Sequence, residues 1–499
     1  MNATVLSNHF PALLIIIPLM SAPACILLYR AQRVWWLALA SSGICLTVSA
    51  ALLSRVLSQG VIRYELGGWA APWGIEYRID ALNGLLVVLI SAASVLCLLY
   101  ARTSVKAEIE KEKIYLFYCA WLLLLTGLLG ISITGDAFNV FVFLEISSLA
   151  SYSLVSFGRQ RAALSAAFRY LVMGTLGGTF ILIGIGLLYA LTGTLNMTDL
   201  ATRIAVLEPN NALRAAFAFM TIGIAIKVAL FPLHGWLPRA YSFAPSAAAA
   251  FIAATSTKVA VYMMLRFTLS IFGVHFSLDV MALGTLLMVL ASLGVFVASM
   301  IAIQSRDLKL MLAWSSIAQV GYMMLGLALG SVTGLTATIV HVFNHALMKS
   351  ALFMVAGCVA LRIGSTSIDS LAGLGRRMPW TFCAFTLAGL SLIGVPFSAG
   401  FISKWYLLRG AFEQDNWMLG VLLVVTSLMA LVYIGAVIEA AFFRTPQEGT
   451  LTAKATEAPM SMLIPMWLLV LANVYFGLNT TLTVGVAERA ALALLGTGP

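Results

Sequence analysis

The chain has 499 residues, of which 61% are hydrophobic and only 10% charged, with a formal net charge of +10. So few charges cannot cover a soluble protein of this size, in which about a quarter of residues are charged, and the composition makes the bilayer the natural solvent. The positive balance does not indicate nucleic acid, because Lys and Arg are spread over short loops between apolar stretches and not gathered on one polar module.

A spanning helix takes about 20 mostly apolar residues. The sequence predicts fourteen, at 10–29, 34–54, 82–101, 114–134, 137–157, 163–191, 213–236, 245–267, 279–303, 308–330, 333–361, 380–410, 417–443 and 460–479. Met1 to Phe10 holds no Lys or Arg, so it lacks the charged start of a secretory signal, and the first apolar stretch is expected to be a retained span. Loop 55–81 contains Gly67, Gly68, Pro72 and Gly74 between alternating residues around Tyr64 and Tyr77, which predicts a short β-hairpin. Elsewhere almost no strand is expected. The spans 163–191, 333–361 and 380–410 are long enough to tilt, break or extend into solvent.

With the N-terminus outside, the inner loops carry 16 Lys and Arg against 8 in the outer loops. That bias predicts both termini on the outer, periplasmic side of a cell inner membrane. A faint internal repeat is also present. Ser147-Ser148-Leu149-Ala150 in the fifth span resembles Ser315-Ser316-Ile317-Ala318 in the tenth, and Pro232 in the seventh span has a counterpart in Pro396 of the twelfth. Five spans per copy would place the copies in opposite orientations, an arrangement found in transporters. The expected organisation is 1–112 for helices one to three with the hairpin loop, 113–273 for helices four to eight, 274–445 for helices nine to thirteen, and 446–499 for the last helix and a tail.

Six cysteines fall within or at the ends of apolar spans and form no CxxC pair, so they read as small buried hydrophobes. The sequence has no iron–sulfur, haem, GxGxxG or P-loop pattern, and no cofactor is expected.

The chemistry rests on ionisable residues deep in apolar spans: Glu145, Arg169, Lys227, Lys258, His341, His345, Lys349 and Lys404. A charge at the bilayer centre costs roughly 2.5 to 3.5 kcal/mol even on lenient scales, so these groups are expected to face a polar interior and one another. Lys227 and Lys258 lie about 14 and 13 residues into their helices, roughly 20 Å from the entry face and close to the middle of a core about 30 Å thick. Arg169, near the inner end of its helix, either snorkels or joins the interior. Low dielectric favours a neutral amine and a nearby carboxylate favours a charged one, so Glu145 beside Lys227 predicts a lysine with two protonation settings. His341, His345 and Lys349 are spaced i, i+4, i+8 on one helix face. HxxxH can hold zinc, but no third ligand is placed and no HExxH occurs, so this face reads as a proton relay or as satisfied core side chains, and a metal site is not expected. His234 follows Pro232 and reads either as helix-break structure or as a proton entry. Pro232 and Pro396 each remove a backbone donor, and broken helices at membrane depth persist only where they are buried or line a wet cavity.

At these motifs the chain resembles the antiporter-like subunits shared by Mrp-type cation/proton antiporters, respiratory complex I and membrane-bound hydrogenases. The resemblance covers nearly the whole chain. It is carried by TGDAFNVFVFLEISSLASY around Glu145, KVALFPLHGWLPRAY from Lys227, TKVAVYMMLR around Lys258, DLKLMLAWSSIAQVGYMMLG, HVFNHALMKSALF around His345 and GVPFSAGFISKW ending near Lys404. It implies an all-α integral membrane fold of about fourteen helices, with two inverted five-helix repeats and discontinuous helices seven and twelve. It also implies a Glu145–Lys227 pair and a proton relay through Lys258, His345 and Lys404. One departure is Arg169, where relatives carry lysine; an arginine does not release its proton. The loop ELGGWAAPWGIEYRID and the stretch TGDAFNVFVFLEI look most like the D-type subunits of the Mrp branch, and Lys404 fits both those subunits and the N-type subunit of complex I. The implied function is therefore proton translocation within a multisubunit Na⁺/proton antiporter. Its implied partners are other membrane subunits, protons and Na⁺. The alternative is a proton-pumping membrane subunit of complex I or of a hydrogenase. A membrane scaffold is a third reading, opposed by the buried ionisable row.

Overall fold

The computed structural model describes residues 7–445 and 455–496. Lys454, counted above with the inner loops, and Pro499 lie outside the described residues. Among the described residues thirteen helices are long and apolar enough to cross a bilayer. They are α1 Phe10–Leu28, α2 Ala31–Gln59, α3 Ala81–Glu108, α4 Ile114–Ile133, α5 Ala137–Ser156, α6 Arg161–Thr192, α7a Asn211–Val228, α8 Ser246–Leu265, α9 Leu283–Gln304, α10 Leu308–Ala328, α11 Val332–Ile363, α13 Trp417–Phe443 and α14 Met460–Leu478. The remaining span is in two pieces, α12a Pro379–Ile393 and α12b Ala399–Phe412. The seventh is also completed by a short second piece, α7b Leu237–Phe243.

Burial sorts these helices into a core and a wall. α4, α8, α10 and α11 are enclosed by the others, whereas α1, α6, α9, α13 and α14 turn much of their surface outward. The enclosed α8 begins Ser246-Ala-Ala-Ala-Ala, and small residues of this kind let helix backbones approach closely. Helix starts carry side-chain caps that satisfy orphan N–H groups: Asp80 with Asn83 before α3, Asp136 before α5, Asn210 before α7a, Asp307 before α10 and Ser331 before α11.

The loop after α2 forms an antiparallel hairpin, β1 Ile62–Glu65 with β2 Glu76–Ile79, in which Tyr64 pairs with Tyr77. Both described chain ends lie on this face. The His9 imidazole is 3.0 Å from the Tyr64 hydroxyl, and Leu494, Leu495 and Gly496 line a cavity with Arg78 and Asp80.

Two constructions recur on opposite faces, as an inverted repeat requires. On the hairpin face, Ala137 N–H donates to Leu195 O and Met197 N–H to Gly135 O, each at 2.8 Å. On the other face, Leu308 N–H donates to Thr366 O and Ile368 N–H to Arg306 O, also at 2.8 Å. Each position in the second set is 171 residues after its counterpart. The breaks match in the same way. Ala229 and Gly394 both adopt left-handed backbone, with φ of 61° and 95°. Leu230 N–H reaches Ala225 O and Val395 N–H reaches Leu390 O, both at 3.0 Å. This is the reversed pattern that closes a helix C-terminus by satisfying its last carbonyls.

Two short helices were not expected. Met197–Ala205 is capped by Asn196, and its Asp199–Arg203 pair holds the Asp199 carboxyl below the usual carboxylate range. The stretch expected as a C-terminal tail instead contains α15, Thr481–Leu495, which buries Val484, Ala487, Ala491 and Leu494 and leaves Glu488 and Arg489 exposed. At 15 residues α15 is too short to register as a span.

Candidate functional site: a buried row of ionisable side chains

Lys227 occupies the last turn of α7a, where the helix leaves its terminal carbonyls unpaired and its dipole favours a cation. Its side chain is buried, and Nζ donates to Ser148 Oγ at 2.7 Å. Beyond the break, the Trp236 indole N–H donates to Ile226 O at 2.9 Å, and the Trp236 ring stacks on Tyr170 at 4.1 Å. The break is therefore stitched to α6 by an aromatic pair.

Glu145 lies one helical turn before Ser148 on α5. Its Oε1 is buried without a protein hydrogen-bond partner and is seated against Gly178 of α6, where a Cβ would collide with it. The expected direct Glu145–Lys227 contact is absent: among the described residues no ion pair joins them, and Ser148 takes the ammonium instead. The reason is reach. A lysine leaving the last turn of α7a meets the hydroxyl three residues beyond Glu145 first.

A cavity of about 30 Å³ separates Lys227 from α8, lined by Ser147, Ser148, Ser151, Tyr170 and Ser256. Its size and hydroxyls suit a water molecule. Ser256 is two residues from Lys258, which is wholly buried. Lys258 Nζ donates to the Ala253 carbonyl and, at 3.4 Å, to Thr257 Oγ1.

The row continues on α11. Lys349 Nζ donates to Leu312 O at 2.8 Å and to Ser315 Oγ on α10. His345 is fully buried, and neither ring nitrogen has a protein partner. Its ring lies parallel to that of His341 at 5.8 Å. His341 in turn bonds at both nitrogens, to Ser403 Oγ at 2.7 Å and to Gln319 Oε1 at 3.0 Å. Ser403 precedes Lys404 on α12b. Lys404 Nζ donates to the end carbonyls of α12a, Leu392 O at 3.1 Å and Ile393 O at 2.9 Å, and to Ser427 Oγ at 3.1 Å. It also sits 4.8 Å over the Tyr322 ring. Both broken helices thus place a lysine ammonium at the C-terminal end of a half-helix: Lys227 from within α7a, Lys404 from across the break.

Geometry makes His341 the link between His345 and the Lys404 helix. Gln319, Ser403, Tyr322 and Ser427 also belong to the site; their signal in the sequence was only polarity within apolar spans. His234 lies off the row, its ring stacked on Phe231 at 5.2 Å and edge-on to Trp314 at 5.3 Å, with Nδ1 buried and unpartnered. Pro232 and Pro396 sit within the breaks and are exposed at the side of the molecule. Arg169 is exposed on α6 among Leu164, Phe168 and Val172, which are exposed too, and it takes no part in the row.

Residues 134–430 match the family model described as NADH:quinone oxidoreductase/Mrp antiporter, transmembrane. The chain is 42% identical over 489 residues to the N-type chain of NADH-quinone oxidoreductase from Desulforudis audaxviator, covering 95% of this chain and 96% of that one. It is 30% identical to the D-type chain of the Na⁺/H⁺ antiporter from Bacillus subtilis, covering 98% and 97%. In solved structures, its fold is similar to a chain of the membrane-bound sulfane sulfur reductase, an archaeal respiratory membrane complex, with a TM-score of 0.88 at 30% identity, covering 97% of each chain. It is also similar to a chain of the Mrp complex from Dietzia sp., with a TM-score of 0.89 at 24% identity, covering 98% of each. The chain belongs to the NADH:quinone oxidoreductase/Mrp antiporter transmembrane family.

Proposed function

We propose that this chain is the proton-translocating membrane subunit of a multisubunit monovalent cation (Na⁺)/proton antiporter. The observation that carries the reading is the polar row itself, Glu145, Ser148–Lys227, Lys258, His345–His341, Ser403 and Lys404, crossing an otherwise apolar helix bundle. Proton transfer needs donors and acceptors in hydrogen-bond reach or bridged by water. The cavity beside Lys227 and the unpartnered nitrogens of His345 are positions where water completes such a chain. Lys227 has two acceptors within one turn of α5: Ser148, which holds it in this conformation, and Glu145, whose charge would lock the proton on.

Partner subunits follow from the exposed breaks. Irregular backbone at membrane depth is tolerated only under protein or water, yet Phe397 is 76% exposed. Arg169 poses the same demand on α6. Both faces are suited to neighbouring membrane subunits of an assembly.

The relative that is 42% identical favours a second reading, a proton-pumping subunit of a quinone-reducing respiratory complex whose redox centres lie in other chains. One experiment tests both. The assembly is purified from membranes and reconstituted in vesicles, with proton movement followed in response to a Na⁺ gradient and, separately, to NADH and quinone. Na⁺-driven proton movement abolished by Lys227→Ala supports the antiporter. Redox-driven movement alone moves the chain to the second reading. Undiminished movement in Lys227→Ala under both drives refutes the row.

A further inference from the structure

The longer halves of the two broken helices begin differently. α7a is capped by its own Asn210, whose side chain accepts from Leu213 N–H at 2.8 Å. α12a starts with Pro379 and has no cap of its own. Proline offers no N–H, so the first donors of α12a belong to Trp380 and Thr381. Glu457, from the segment just ahead of α14, takes both. Its Oε2 accepts from Trp380 N–H at 2.8 Å and Thr381 N–H at 3.4 Å. Its Oε1 accepts from Thr381 Oγ1 at 2.5 Å and from Ala458 N–H at 2.8 Å. The Arg362 guanidinium of α11 donates to the Glu457 carbonyl, and Trp380 meets Trp467 of α14 edge-on at 5.8 Å. The corner is braced from three helices.

α12a consequently carries a carboxylate at its N-terminus and, through the Leu392 and Ile393 carbonyls, the Lys404 ammonium at its C-terminus. Each charge is the sign that the helix dipole favours at that end. The helix is 15 residues long, which puts the two groups about 22 Å apart. In the first repeat the corresponding cap, Asn210, is neutral.

We infer that Glu457 is a positioning residue for Lys404: by capping α12a from the α14 side it fixes where the half-helix ends, and so where the Lys404 ammonium is held. The inference rests on the proposed proton-moving role of Lys404. Lys404 is faced by Tyr322 of α10, His341 of α11 through Ser403, and Ser427 of α13, with no ion-pair partner among the described residues. Glu457 is faced by Arg362 and Cys358 of α11 and by Thr381 of α12a. Removing the Glu457 charge therefore alters the field along α12a.

The test uses the intact assembly in vesicles, with exchange measured across pH and amide hydrogen exchange followed in α12a. Glu457→Ala is expected to expose the Trp380 and Thr381 amides and to lower exchange about tenfold. Glu457→Gln keeps an acceptor, so it should preserve amide protection and most of the rate. Its pH profile should move toward lower pH by about half a unit, the size of a unit charge acting over about 22 Å at an effective dielectric near 20. Thr381→Val, which deletes one bond and leaves the carboxylate, should give a smaller loss of protection and serves if Glu457→Ala fails to assemble. Wild-type protection and profile in both Glu457 variants overturn the inference. Lys404→Ala with wild-type exchange overturns instead the functional reading on which it rests, while the amide protection still reports on the cap.

Discussion

Lys227, Lys258, Lys349 and Lys404 find their acceptors in hydroxyls and backbone carbonyls, and none is in an ion pair among the described residues. A buried amine so placed can lose its proton without stranding an anion, whereas breaking a buried ion pair leaves an uncompensated charge at a cost of roughly 3–5 kcal/mol. Glu145 is the half-buried carboxylate of the row, its Oε1 enclosed, whose neutralisation should then be most damaging to function and mild in its effect on folding. We expect Glu145→Gln to abolish exchange in vesicles while the assembly purifies intact; wild-type exchange by the variant removes Glu145 from the row. Gly178→Ala is a subtler probe, because the added methyl meets Glu145 Oε1. It should cut exchange several-fold with little change in assembly, and unaffected exchange would show that Glu145 swings away without cost.

At the scale of elements, the breaks depend on one left-handed residue each. Gly394 adopts φ 95° without penalty, whereas Ala229 holds φ 61° against the crowding of its own Cβ. A left-handed residue other than glycine costs about 1–2 kcal/mol. Ala229→Gly should therefore leave the break in place and stabilise the protein by about 1 kcal/mol, less the entropy that glycine returns to the unfolded chain. Gly394→Ala should destabilise it by a similar amount, and its Cβ would approach Lys404 Cδ at 2.9 Å. Thermal unfolding in detergent checks both signs. Unchanged midpoints in both variants would mean that packing, not the cap, holds the two half-helices.

For the whole molecule, the hairpin, the short helix Met197–Ala205, α15 and both described chain ends share one face. The excess of Lys and Arg in the opposite loops predicts that this face lies outside the cell. A reporter fused after Pro499 should be active only on the outer side, and cytoplasmic activity of the fusion would reverse the assignment. The two breaks lie on different sides of the bundle: the Phe231–His234 turn packs against α9 and α10, and the Val395–Phe397 turn sits at the open edge.

Local pattern was enough for the fourteen apolar segments, because spanning a bilayer demands length and apolarity that are written residue by residue. The hairpin was legible from its glycines and alternating tyrosines, and the two breaks from Pro232 and Pro396. Buried charge in a nearly uncharged chain singled out Glu145, Lys227, Lys258, His345 and Lys404. Only the folded structure decided what each of them touches. Helix rotation turned Arg169 outward and His341 inward, although both are ionisable groups in long apolar spans. The choice of Ser148 over Glu145 by Lys227 turns on a reach of one helical turn across two helices, which spacing along either one cannot express. The capping of α12a by Glu457 joins residues 77 positions apart. Such pairings depend on how helices are set against one another, and that arrangement exists only after the bundle has packed.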